Sequence, residues 1–436
     1  MKNRFLAVPM ALAAMLAIPA TAMAELPPLP TPPPLPEEVG QQIVGVVPPA
    51  PAFDTQGSSG LEAIGQYPDT PATPPPAVHH DGAPEPVAFT SDQVLRLYLS
   101  DLPSTGLAYQ AVIDQFGDLR QNHPDVMDQN MVTVKRINHE ATPQQVDCAL
   151  ADAHDDLLVT MSDALGPTLG GHFRQALAEH RLPKTAQLFS GNLARGGGIA
   201  SSTFAEKYLN NKRPNVVDPE GIMHYHREGA KDEYETSPSF PSGHTNQATW
   251  KSTLLAYILP EVGPQLVARG AEVGFNRQVI GVHYPLDVIG GRMTGTAASV
   301  DRLDDSKFKA LLGEASKEVH AELEWRCGGS IADCAARDLP STQQAVSQAT
   351  ERMTYDFRQV GPTDAPFVVP AGAGKLLETR FPQLTYPQLE EVFRQTAIPS
   401  GYPLDKQGGA PSWQRLNLAA ALASHPVVNP DGSITL

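Results

Sequence analysis

The chain has 436 residues, with 32 Lys and Arg against 48 Asp and Glu, and a formal net charge of −16. A balance that acidic excludes a general nucleic-acid binder and leaves no basic stripe suited to an anionic membrane surface. The length allows two or three domains, and 42 prolines, many of them near the N-terminus, set that end apart from the rest.

Residues 1–24 have the layout of a secretory signal: Lys2 and Arg4, an apolar run from Phe5 to Ala20, and the small-x-small site Ala22-Met23-Ala24. Pro9 and Pro19 interrupt the run and Glu25 follows it, which favours export with cleavage over anchoring. No other stretch is long and apolar enough to span a bilayer. The expected location is therefore periplasmic or secreted. Residues 25–90 are rich in Pro, Ala and Gly, with Pro32-Pro-Pro-Leu-Pro and Pro74-Pro-Pro, and are expected to form a flexible, polyproline-like leader. His79-His80 within it carries no evident role.

Helical patterns begin near Thr90 and fill residues 91–335. Ser91 is expected to cap a helix through Tyr98. Thr142-Pro143 opens an amphipathic helix with Val146, Leu150, Ala153, Leu157 and Met161 on one face. Another is expected from Phe173 to Glu179. The glycines at 196–198 break the chain, and Ser202 to Asn211 reads as a helix that delivers Arg213. Residues 214–240 form a polar loop, suited to a pocket wall. Ser242 to Leu259 is helical, stopped by Pro260, and Ser306 to Trp325 aligns Phe308, Leu312, Ala315, Val319 and Leu323. Residues 336–436 are a C-terminal extension. Within it Gln344 to Tyr355 reads as helix, and Thr385-x-x-Gln388 is a capping box before Leu389, Val392 and Phe393. Trp413 and the run Leu416 to Leu422 bring the extension back onto the core. Strands are scarce, so the expected fold is an all-α helical bundle. Cys327 and Cys334 are close enough in sequence to form a disulfide in an oxidising compartment. Cys148 is left over as a half-buried thiol, and the three cysteines make no metal site.

Two stretches carry the chemistry. In Phe240-Pro-Ser-Gly-His-Thr245, Ser242, Gly243 and His244 fall at a helix N-terminus, where unpaired N–H groups and the helix dipole favour an anion. Gly243 lets a ligand approach the backbone, Ser242 adds a hydroxyl donor, and His244 adds a group that exchanges protons near neutral pH. In Arg277-Gln-Val-Ile-Gly-Val-His283-Tyr-Pro-Leu-Asp287, Pro285 starts a helix. Asp287 in its first turn can reach back to one nitrogen of His283, leaving the other free as a nucleophile. Arg277 offers a charged fork for an oxyanion. The polar pair His224-x-His226 is better placed to flank a phosphate pocket than to hold a metal.

With Arg213-Pro214 upstream, the three blocks Arg-Pro, Pro-Ser-Gly-His and Arg-x5-His-x3-Asp resemble, in order and spacing, the signature of the type 2 phosphatidic acid phosphatase superfamily. That superfamily includes bacterial non-specific acid phosphatases, lipid phosphatases and vanadium haloperoxidases. The likeness covers roughly residues 130–295. It implies a bundle of the acid phosphatase/vanadium haloperoxidase type and a small phosphorylated substrate. It also implies a phosphohistidine mechanism with no metal. His283 attacks phosphorus, Asp287 orients it, and His244 protonates the leaving oxygen and then activates water. Arg213, Arg277, Ser242 and the Gly243 amide hold the phosphoryl oxygens. Two positions depart from the pattern. The family's first block is Lys-x6-Arg-Pro, and here the lysine position, seven residues before Arg213, is Glu206; Lys207 or Lys212 are candidate substitutes. Asn276 stands where the family usually has Ser. Vanadate mimics a phosphoryl transition state, so it is expected as an inhibitor. It becomes a cofactor, with His283 as its ligand, if the chain is instead a haloperoxidase. A phosphate-binding homologue weakened by Glu206 is the remaining alternative.

Overall fold

A computed structural model describes residues 76–101, 107–191, 194–197, 209–227 and 237–436. The signal, most of the Pro-rich leader, Glu206, Lys207 and most of the helix expected over 202–211 lie outside the described residues; Asn210 and Asn211, which are described, are not helical. Among the described residues the fold is all-α. Its strands are Val427–Val428 and Ile434–Thr435, which pair antiparallel with Val427 opposite Thr435.

Helix α1 spans Pro124–Glu140 and α2 spans Pro143–His154. The start of α2 is set by a reciprocal cap: the Thr142 hydroxyl accepts from Gln145 N, and the Gln145 side chain accepts from Thr142 N at 2.9 Å. The apolar face expected to run on to Met161 is broken. Asp155 closes α2, and the Asp156 carboxylate accepts from Leu158 N at 2.9 Å, capping a new short helix at Leu157–Thr160. A similar shift occurs near the start. Thr90, with Gln93, caps the helix that Ser91 was expected to cap, and it ends at Leu95 because Arg96 is extended. Helix α3 is Gly166–Ala178.

Three consecutive helices form the centre: α4 (Gly243–Ile258), α5 (Gly263–Val279) and α6 (Pro285–Asp304). α4 is buried on nearly every side from Thr245 onward, polar residues included, so its sequence lacks a strongly one-sided apolar stripe. α6 crosses it closely. A Cβ on Gly291 would lie 2.6 Å from the Ser242 carbonyl oxygen, so only glycine permits that approach. Helix α7, Ser306–Cys327, buries Phe308, Leu312, Ala315, Val319 and Leu323, the five residues aligned in the sequence. Cys327 is disulfide-bonded to Cys334 across seven residues.

The chain beyond residue 336 adds α8 (Thr342–Thr354), α9 (Tyr386–Thr396) and α10 (Leu418–Ala423). Leu376, Leu389, Val392, Phe393 and Leu422 share one hydrophobic cluster with Leu254 and Leu255 of α4 and Val319 of α7. At the other end, residues 78–89 lie along the core. Val78 N donates to Glu179 O at 2.9 Å, Arg181 donates to Val78 O and Pro84 O, and Phe89 is buried. His80 Nε2 lies 2.8 Å from Glu179 Oε2, so this histidine is part of that strap.

Phe393 is fully buried in the shared cluster. Phe393→Ala should lower the unfolding free energy by about 3–5 kcal/mol, the cost of a large core truncation and its cavity. Urea unfolding followed by circular dichroism measures it; an unchanged midpoint would mean the C-terminal helices contribute nothing to the core.

Candidate active site

The site is built where the first turns of α4 and α6 meet. Ser242 is the N-cap of α4, and its backbone N–H donates to the Asp287 carbonyl at 2.9 Å. Its hydroxyl oxygen accepts from Thr245 N at 3.2 Å and from the Thr245 hydroxyl at 2.9 Å. With both lone pairs so used, the Ser242 O–H is left as a donor. Gly243 and His244 follow in the first turn and are half-buried. Ahead of them, Phe240 stacks on Phe116 with ring centroids 3.6 Å apart, which anchors the loop entering α4.

His283 is reached by a tight turn. α5 ends at Val279, and Gly281 has φ +74°, with a hypothetical Cβ only 2.3 Å from Ile222. The turn places His283 just before α6, almost fully buried. Asp287 Oδ2 accepts from Tyr284 N at 2.8 Å and lies 3.3 Å from His283 Nδ1. Nε2 of the same ring is 2.8 Å from Arg213 Nη1. A guanidinium only donates, so Nε2 must accept, and Nδ1 must carry the proton shared with Asp287. The ring is therefore held as the tautomer whose lone pair sits on Nε2.

Arg213 is aimed by backbone. Its Nε donates to Ser237 O at 3.0 Å, Nη1 to Val282 O at 2.9 Å, and Nη2 to the Ser237 hydroxyl at 2.9 Å. Asn211 and Ser239 tie this segment to the loop before α4: Ser239 N donates to Asn211 O at 2.7 Å and Asn211 Nδ2 to Ser239 Oγ at 2.9 Å. Arg277 is fully buried in the last turn of α5.

Burial, followed by the charges of Arg213 and Arg277, holds the pKa of His283 well below its ordinary value. Burial, then Arg277 and Arg213, does the same to His244, opposed by a hydrogen bond with the Ala153 backbone. Both arginines thus act on both histidines, and the structure brings Arg213, Arg277, His244, His283, Asp287 and Ser242 to one place.

Other candidates fall differently. Lys207 lies outside the described residues, as does Glu206. Lys212 is exposed beside Arg213. His224 and His226 are exposed on the loop after Arg213, their rings near-parallel with centroids 6.5 Å apart. Among the described residues the one cluster with metal-ligand proximity is His172, Cys327 and Cys334, and its two sulfurs are bonded to each other. Asn276 is turned away from any oxyanion role. Its Nδ2 donates to Asp152 Oδ2 at 2.7 Å, and Asp152 also takes Arg269 through two hydrogen bonds at 2.9 and 2.5 Å. This buried clamp joins α2 to α5, and the next residue of α2, Ala153, supports His244. Sequence reasoning missed Asp152; the aligned polar positions Arg269 and Asn276 on α5, seven apart, were the available signal.

Because positive neighbours depress both histidines, removing one must raise them. In Arg277→Gln, the imidazole C–H resonances of His244 and His283 should titrate at higher pH than in the parent protein, read by NMR. Titration at the same or lower pH would show that Arg277 does not act on them.

The comparisons agree with this geometry. Residues 188–300 match the family model described as PAP2 superfamily. Among curated proteins, the non-specific acid phosphatase of Salmonella typhi is 29% identical over 129 residues, 30% of this chain and 50% of that protein. The Salmonella typhimurium enzyme of the same name is 28% identical over 138 residues, 32% of this chain and 54% of that protein. The one from Providencia stuartii is 26% identical over 148 residues, 34% and 57% of the two chains. The chain spans about half the length of the curated relatives it matches. Arg213, Ser242, His244, Arg277, His283 and Asp287 all fall within the matched region, and the chain carries a PAP2 superfamily domain at residues 188–300.

Proposed function

We propose that the protein is an exported acid phosphatase that hydrolyses small phosphomonoesters through a phosphohistidine, without a metal. The observation that carries the reading is the polarised His283: Nδ1 toward Asp287 Oδ2 at 3.3 Å, Nε2 in contact with the Arg213 guanidinium at 2.8 Å. The three named relatives support the substrate class.

In the resting site Arg213 occupies the lone pair of Nε2. An incoming phosphoryl group draws the donors of Arg213 and Arg277 onto its oxygens, with the Ser242 hydroxyl and the Gly243 amide at the α4 N-terminus. That frees Nε2 to attack phosphorus as the P–O bond to the leaving group breaks. Asp287 balances the charge gained by the imidazole, and His244 gives its proton to the leaving oxygen. His244, now neutral, takes a proton from water, which attacks the phosphoryl group and breaks the P–N bond. Phosphate departs and His283 is restored. Most of the catalysis is positioning and charge stabilisation, as phosphoryl transfer requires. The depressed pKa of His283 suits acid conditions, because the nucleophile remains unprotonated as pH falls below ~6.5, the ordinary value for histidine. The arriving phosphate dianion offsets the arginines and raises His244, so that it can hold the proton it must donate. None of the described helices is long and apolar enough to cross a membrane. The signal-like residues 1–24 support export to the periplasm or medium.

The test is hydrolysis of an aryl phosphate between about pH 4 and pH 8 by the mature protein, with EDTA or vanadate added. Turnover should persist in EDTA, be blocked by vanadate, and disappear in His283→Ala. His244→Ala should lose a factor of ~10²–10⁴, with the smallest loss for substrates with the most acidic leaving groups. Full activity in His283→Ala would refute the reading. No phosphate release, together with bromide oxidation once vanadate and peroxide are present, would assign the site to haloperoxidase chemistry instead.

A further inference from the structure

A cavity lies on the side of α4 that faces the C-terminal extension. It is bounded by α4, α5, α6 and α8 and closed by residues 416–419. None of the residues assigned above to phosphate handling lines it. Two of its lining residues are Arg292 of α6 and Arg352 of α8, and among the described lining residues there is no Asp or Glu. The hydroxyl residues Thr249, Ser252 and Thr296 line it as well.

The two guanidinium groups are unusual for this protein. Outside the active site, three of its buried arginines answer to carboxylates: Arg181 to Glu322 at 2.8 Å, Arg269 to Asp152, Arg302 to Asp101 at 2.7 Å. Among the described residues Arg292 has only main-chain acceptors, donating to Gln414 O at 2.9 Å and to Trp413 O at 3.5 Å. Its buried Nε has no hydrogen-bond partner among the described residues, and neither has the buried Nη1 of Arg352. Arg352 rests its guanidinium over the Phe275 ring at 4.9 Å, a contact that leaves the in-plane N–H groups available. Burial brings the pKa of Arg292 down to about 10, and both cations act on the same hydroxyl, Tyr355. Two cations that line one cavity without a carboxylate, each with a buried donor left unused, are costly unless something anionic enters it.

We propose that this cavity is a second anion site, taking a small oxyanion such as a sulfate, phosphate or short carboxylate between Arg292 and Arg352. The planar forks match two oxygens of such a group. The apolar remainder of the lining limits the ligand to a small anion or to one with a short apolar body.

The site is tested without reference to hydrolysis. The full chain carrying Arg277→Met, which weakens the catalytic oxyanion grip, is titrated calorimetrically with sulfate and, separately, with acetate at fixed ionic strength. The expected result is saturable binding of at least one of the two at about one site per chain, with a raised melting temperature, as a ligand that binds only the folded state requires. Adding Arg352→Met should weaken that binding at least ~10-fold, the loss typical of removing a charge-assisted donor. Absence of binding by both anions, or equal affinity with and without Arg352, would overturn the proposal. Crystals of the unaltered protein soaked in tungstate give a reading that does not depend on any variant folding. Anomalous density between the two guanidinium groups is expected, and density confined to the Arg213/Arg277 pocket would contradict the second site.

Discussion

The N-termini of α4 and α6 are fastened together by a backbone hydrogen bond from Ser242 N to the Asp287 carbonyl, 2.9 Å long. Two N-terminal turns, each with positive dipole character, are thereby held side by side. The contact is possible because Gly291 offers no side chain toward the Ser242 carbonyl. Every proposed catalytic group hangs on that joint. Ser242, Gly243 and His244 belong to one turn, His283 and Asp287 to the other, and Arg277 reaches in from the end of α5, four residues before the chain turns at Gly281. The same α4 is surrounded by α5, α6 and the C-terminal helices, so its position is set by the core as a whole.

Placing two arginines against two histidines in a buried space is electrostatically unfavourable in itself. The structure meets this by keeping both imidazoles neutral, as the downward shifts of His244 and His283 indicate. The proposed catalytic cycle draws on the same imbalance. An arriving phosphate supplies the missing negative charge, relieves the arginines and makes the protonated form of His244 accessible at the step that needs it. Asp287 is fixed by Tyr284 N as well as by His283, so the carboxylate that orients the nucleophile does not itself have to move.

Local chemistry was legible in the sequence wherever it is decided within a few residues. The helix start at Thr142-Pro143, the Thr385/Gln388 cap, the helix N-terminus at Ser242, the α7 stripe and the Cys327–Cys334 pair all depend on positions at most seven apart from one another in turn. The break at Asp155–Asp156 was also local, yet the apolar periodicity continuing to Met161 concealed it. What could not be read were the polar contacts between distant positions. Asp152 holds Arg269 and Asn276 across 117 and 124 residues, and Arg292 reaches the carbonyls of residues 413 and 414. Neither contact leaves a periodic trace, because a single buried hydrogen bond does not repeat along the chain. The juxtaposition of Arg213 with His283, 70 residues apart, was expected only through the resemblance to a family, and the structure supplies the atoms: Nη1 to Nε2.

The account's central claim is that Nε2 of His283 forms a bond to phosphorus. The most direct measurement is rapid quenching of the protein in alkali during turnover of a phosphomonoester, followed by mass spectrometry of its peptides. The account predicts an acid-labile, base-stable phosphoryl group on His283. With a substrate whose leaving group is acidic enough to depart unprotonated, it accumulates further when His244 is replaced, since breakdown of the intermediate then lacks its base. Turnover with no phosphorylated histidine at any quench time, or with the label on another residue, would contradict it.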